Sequence, residues 1–80
     1  MKNMLLAFLE RCFLNCNVNH TNTQLVETVE HLFNYKYEVV VTDDYNDDYF
    51  VLRLIEKENK EIKHITFYTI NGVVKSINIK

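Results

Sequence analysis

The hydrophobic period of this chain changes once, at Tyr35, and that change decides what it can fold into. Before it, Met4, Leu5, Leu6, Phe8, Leu9, Cys12, Phe13 and Cys16 recur at spacings of three and four. Leu25, Val26, Val29, Leu32 and Phe33 do the same, and this spacing lines one side of a helix. After Tyr35 the period becomes two, with β-branched and aromatic enrichment, which is the signature of half-buried strands. Helix-forming and strand-forming halves are therefore segregated along the chain, which selects an α+β architecture over alternating units. The expected elements are a helix over residues 3–16, a helix over Asn22–Asn34, and strands over Tyr37–Thr42, Tyr49–Lys57, Ile62–Ile70 and Val73–Lys80.

The connections refine this. Thr21 followed by Gln24 fits a capping box, in which each side chain satisfies a backbone N–H at the helix start. Asn71-Gly72 between apolar partners is a strong short hairpin signal, because both central residues of a type I′ turn need positive φ. With Asn59-Lys60 as a second two-residue loop and Asp43–Asp48 closing the first hairpin, residues 39, 52, 67 and 76 fall side by side. One face then collects Tyr37, Val39, Val41, Phe50, Leu52, Leu54, Ile65, Phe67 and Val74. The expected fold is ααββββ: two N-terminal helices packed on that face of a four-stranded antiparallel meander, in chain order.

In the same register Glu38 lies opposite Arg53, and the outer face holds Val40, Val51, Ile55, Ile62, His64, Thr66, Tyr68 and Lys75 beside them. The alternation of the fourth strand also puts Ile77 and Ile79 outside, leaving Val74 with Ser76 and Asn78 inside. Either a bulge turns those isoleucines inward, or the outer face meets a partner. The partner is the preferred expectation, since the chain has nothing left to cover that side, and Val51, Ile55, Tyr68, Ile77 and Ile79 are its candidate oligomer face.

Eighty residues make a single domain, 1–80, with a small core. A net charge of −2 argues against a binder whose whole surface is basic. The charge is unevenly placed, however. Asp43, Asp44, Asp47 and Asp48 stand together without a base, whereas Arg53, Lys57, Lys60, Lys63, Lys75 and Lys80 outnumber Glu56, Glu58 and Glu61 in the C-terminal part. The apolar run Met4–Leu9 ends at Glu10 and Arg11, too short for a signal or membrane segment. The expectation is a cytoplasmic protein with reduced thiols and no membrane contact.

Several chemistries can be tested by position. Asp44, Asn46 and Asp48 match the first, third and fifth ligands of a calcium loop, but Tyr49 stands where glycine is needed and Ile55 where a bidentate glutamate belongs. Cys12, Cys16 and His20 share one helical side yet lack a fourth zinc ligand, so no metal and no cofactor is expected. Nucleophilic catalysis would need Cys12 or Cys16 exposed beside His31 or His64, and a buried helical face is the wrong place for it. One glycine, already used in a turn, leaves no phosphate-cradling loop. The chain therefore reads as no enzyme. Arg53, Lys57, His64, Tyr68 and Lys75 on the outer face raise single-stranded nucleic-acid binding as an alternative.

The acidic stretch carries the leading expectation. Asp43, Asp44, Asp47 and Asp48 on a protruding loop, with Tyr45 and Tyr49 beside them, imitate a run of phosphates and suit the basic groove of a nucleic-acid-binding protein. No family motif marks the chain. In size and composition it resembles the small acidic single-domain proteins of phages and mobile elements that disable host nucleases, anti-CRISPR proteins included. That resemblance implies an inhibitor or modulator of a nucleic-acid-handling host protein, with a homodimeric or heteromeric module built on the outer face as the alternative.

Overall fold

The computed structural model describes residues 4–14 and 18–80. Two helices, α1 (Met4–Phe13) and α2 (Asn22–Phe33), precede β1 (Tyr37–Tyr45), β2 (Tyr49–Glu56), β3 (Ile62–Ile70) and β4 (Val73–Ile79). The α+β class and the order of helices before strands are as the change of period requires.

Helix α2 starts at its capping box. The Thr21 hydroxyl accepts from the Gln24 N–H at 3.1 Å, and Gln24 Oε1 accepts from the Thr21 N–H at 2.9 Å. Such a cap stabilises by about 1 kcal/mol. Leu25, Val29 and Phe33 then form one buried stripe at intervals of four. Helix α1 buries Leu9 and Phe13 in the same way, with Leu5, Leu6, Cys12 and Leu14 partly buried against the core. Helix α2 lies against β1 and α1 against β4, so the helices are set over opposite edges of the sheet. The rings of Phe8 and Phe33 meet edge to face at 5.8 Å, joining α1 to α2. Those of Phe13 and Phe67 meet at 5.1 Å and join α1 to β3.

The sheet is antiparallel in the order β1-β2-β3-β4. Its registers depart from the sequence expectation at each hairpin, for a different reason each time. Between β2 and β3 the loop has four residues, Lys57–Lys60, rather than the two of Asn59-Lys60. Lys60 takes a left-handed φ of 63° and donates its N–H to Glu56 O, and the Glu61 N–H bonds Asn59 Oδ1 at 2.9 Å. Leu52 consequently pairs with Ile65 and Phe50 with Phe67. The slip is an even number of residues, so every side chain keeps its face.

Between β1 and β2 the strand continues to Tyr45, which pairs with Phe50, while Val41 pairs with Leu52. Thr42, Asp43 and Asp44 together oppose Val51, an extended bulge. Glu38 therefore lies opposite Ile55, and it is Val40 that faces Arg53, which removes the expected charge pair.

The β3–β4 turn has positive φ at both Asn71 (52°) and Gly72 (80°), as the type I′ signal demanded. Thr69 pairs with Val74 but Tyr68 with Ser76, so Lys75 is an inserted residue. One extra residue reverses the parity of everything after it. Ile77 comes to face Phe67 and Ile79 to face Ile65. Ile77 is buried and Ile79 packs on the core, which corrects their placement on the outer face.

Candidate functional site

The acidic hairpin is shaped by its own backbone. Asn46 Oδ1 accepts from the N–H groups of Asp48 at 2.7 Å and Tyr49 at 3.0 Å, and the Asn46 N–H donates to Tyr49 O at 2.9 Å. The Thr69 N–H donates to Asp48 O, fastening the turn to β3. The Thr42 hydroxyl donates to Val51 O at 2.6 Å and accepts from the Asp44 N–H at 3.2 Å, which holds the bulge. Only one of the four aspartate side chains enters this scaffold: Asp44 Oδ1 accepts from the Tyr49 hydroxyl at 2.8 Å. That hydrogen bond, and then the charge of the same carboxylate, raises the Tyr49 pKa above its ordinary 10.0.

Asp43, Asp44, Asp47 and Asp48 are all exposed, and no lysine or arginine occurs between Lys36 and Arg53. Three of the four carboxylates, those of Asp43, Asp47 and Asp48, thus present negative charge that is not needed to build the turn. Among the described residues no group of three His, Cys, Asp or Glu is arranged to hold a metal ion.

The two tyrosines grouped with these aspartates diverge. The Tyr45 ring meets Phe50 at 6.3 Å on the helix side of the sheet, where Val26 and Val41 complete an open pocket of 380 Å³. The Tyr49 ring meets Tyr68 at 6.5 Å on the outer side, in a recess of 260 Å³ shared with Asp44, Val51, Thr66 and Lys80. Of the six residues singled out, Asp44 and Tyr49 touch directly, and Tyr45 belongs to another surface. The Tyr45 pocket was not foreseen. Its signal is an extra pair of residues between Val41 and Tyr45, visible only once the pairing of β1 with β2 is known.

The proposed oligomer face divides as well. Ile77 and Ile79 lie on the core side, while Val51, Ile55 and Tyr68 stay outside. Val51 is 8% exposed, screened by its neighbours in the Tyr49 recess, whereas Tyr68 is 43% exposed. Beside them Arg53 Nε donates to His64 Nε2 at 3.4 Å, and Lys75 stands exposed on the β4 bulge. Cys12 is partly buried on the core side of α1, His20 sets its ring against Phe13 at 5.6 Å, and Cys16 lies outside the described residues. His31 is exposed on α2.

No protein family matches the chain, nor does any curated protein or solved structure. No helix among the described residues is long and apolar enough to cross a membrane. Fold and surface define an α+β domain with an acidic hairpin.

Proposed function

We propose that the protein is a non-catalytic binding module that inhibits or modulates a nucleic-acid-handling protein by placing its β1–β2 hairpin in that partner's basic groove. One observation carries this reading: Asp43, Asp44, Asp47 and Asp48 are exposed on a turn whose shape is maintained by backbone groups, Asn46 and Thr42, with Asp44 alone of the four engaged, by Tyr49. Carboxylates held in this way are free to stand where phosphates would. Opposed potentials then steer the encounter and reject acidic partners. A partner of this kind lies inside a host cell, and the size and charge suit the phage and mobile-element proteins that disable host nucleases.

The test is capture from a bacterial lysate with tagged wild type and with a variant carrying Asp→Asn at 43, 44, 47 and 48, at low and high salt. Wild type at low salt should retain a nucleic-acid-handling protein that both the variant and high salt release, since exposed charges are screened within about 8 Å at physiological salt. Equal retention by the variant would overturn the proposal. A second reading, single-stranded nucleic-acid binding, is favoured by the pairing of Tyr49 with Tyr68 beside Lys80, with Arg53 further along the same strand. A fluorescent oligothymidylate at low salt tests it, and absence of binding there ends it.

A further inference from the structure

The pocket behind the acidic turn says what such a partner carries. Its walls are Val26 of α2, Val41 and Tyr45 of β1, and Phe50 of β2, with Asn22 and Thr23 at its mouth. On the helix side of the sheet Phe50 and Leu52 are buried, but Val41 and Tyr45 remain 55% and 58% exposed. The apolar face thus continues past the cover that α2 provides. The side chains that line this opening carry no charge of their own. The elements that supply them carry Glu27, Glu30, Asp43, Asp47 and Asp48, besides Glu38 and Asp44 on the outer side, and no lysine or arginine occurs in α2, β1, the turn, or β2 before Arg53.

We infer that this pocket is the anchor of the acidic surface, receiving one aromatic or aliphatic side chain from a basic segment of the partner while flanking arginines or lysines lie over the aspartates. The inference rests on the binding reading above and adds to it a place, a side-chain class and a sequence pattern. Protein interfaces concentrate affinity where a large apolar side chain enters a pocket ringed by polar groups. At 380 Å³ the opening is at the small end for a ligand site, the scale of a side chain. An acidic or neutral segment would fill it equally well by shape, and the one-signed charge of the elements around it selects the basic one. The groove at the far end of the helices, between Met4, Phe8 and Tyr35, is also apolar but has Lys36 on its wall and no charge pattern that selects an occupant.

Titration of ¹⁵N-labelled protein with three peptides tests this: acetyl-Trp-Arg-Arg-Arg-amide, acetyl-Gly-Arg-Arg-Arg-amide and acetyl-Trp-Gly-Ser-Gly-amide. The first should bind about tenfold more tightly than the second, the gain from half-burying one aromatic ring. Its shifts should centre on Val26, Val41, Tyr45 and Phe50. Tyr45→Ala and Val41→Thr, both at positions more than half exposed and checked for the wild-type fold by their ¹⁵N spectra, should abolish the difference and preserve binding of the glycine peptide. Equal affinity for the two arginine peptides overturns the anchor while leaving the charge reading standing. Failure of both to bind at low salt removes both. Binding of the uncharged tryptophan peptide as tightly as the first, unchanged by Asp→Asn at 43, 44, 47 and 48, would make the pocket a simple apolar site and overturn the inference. Concentration-dependent shifts at Val41 and Tyr45 without peptide would make a second copy the occupant and do the same.

Discussion

Ile77→Ala distinguishes the two registers available to β4. With Lys75 inserted, Ile77 faces Phe67 and is 7% exposed; without the insertion Ile77 would face solvent and Ser76 the core. The substitution deletes three carbons, about 2.4 kcal/mol of transfer free energy at roughly 0.8 kcal/mol each. An incompletely collapsed cavity adds to this, giving a loss of about 3 kcal/mol. A chain of this length has on the order of 4–12 kcal/mol in total, so the loss is a large share of its stability. Urea unfolding followed by far-UV circular dichroism should show a lower midpoint at an unchanged slope, the mark of altered stability without altered compactness. If the alanine variant does not fold, Ile77→Val should still cost about 1 kcal/mol and lower the melting temperature by about 4–8 °C. Ser76→Ala, at an exposed position, should stay within about 0.5 kcal/mol of wild type. A neutral Ile77→Ala together with a destabilised Ser76→Ala would show that Lys75 is not inserted and return Ile77 to the outer face.

Two further outcomes follow from local geometry. Gly72→Ala should destabilise by about 1–2 kcal/mol, because φ is +80° and the added Cβ would meet His20 O at 3.4 Å; a gain of about 0.4–1 kcal/mol, as for glycines at ordinary φ, would refute this. The phenol of Tyr49 should titrate by ultraviolet absorbance above 10.0, and Asp44→Asn should lower that value. Since the folded-state value is raised, the bond to Asp44 contributes stability fully present below pH 10.0 and lost as pH rises through the folded value. A Tyr49 titration that Asp44→Asn leaves in place would remove Asp44 as the cause.

Local signals were legible and pairings were not. Thr21 and Gln24 stand three residues apart and need nothing else to cap α2, and Asn71-Gly72 carries its turn in its own backbone preference. Lys60, by contrast, adopts a positive φ although it is neither glycine nor asparagine, because the Asn59 side chain and the Glu56 carbonyl hold the loop around it. The alternation of β4 raises the inward turn of Ile77 as one of two readings, and only its pairing with Phe67 decides between them. The same limit applies to the site. The exposure of the aspartates follows from their type, while the separation of Tyr45 from Tyr49 follows from strand pairing.

The bulges of β1 and β4 have a consequence beyond register. These are the two edge strands, and an edge strand presents unpaired N–H and C=O groups on which another chain can build. Each is interrupted part-way, β1 at Thr42–Asp44 and β4 at Lys75, and each interruption carries charge. A bulge bends the strand and a charge must be desolvated before a neighbour can dock, so neither edge offers a long flat template. A small sheet rich in valine, isoleucine and tyrosine, a composition prone to fibrils when its strands are straight and uncharged, is in this way kept at four strands.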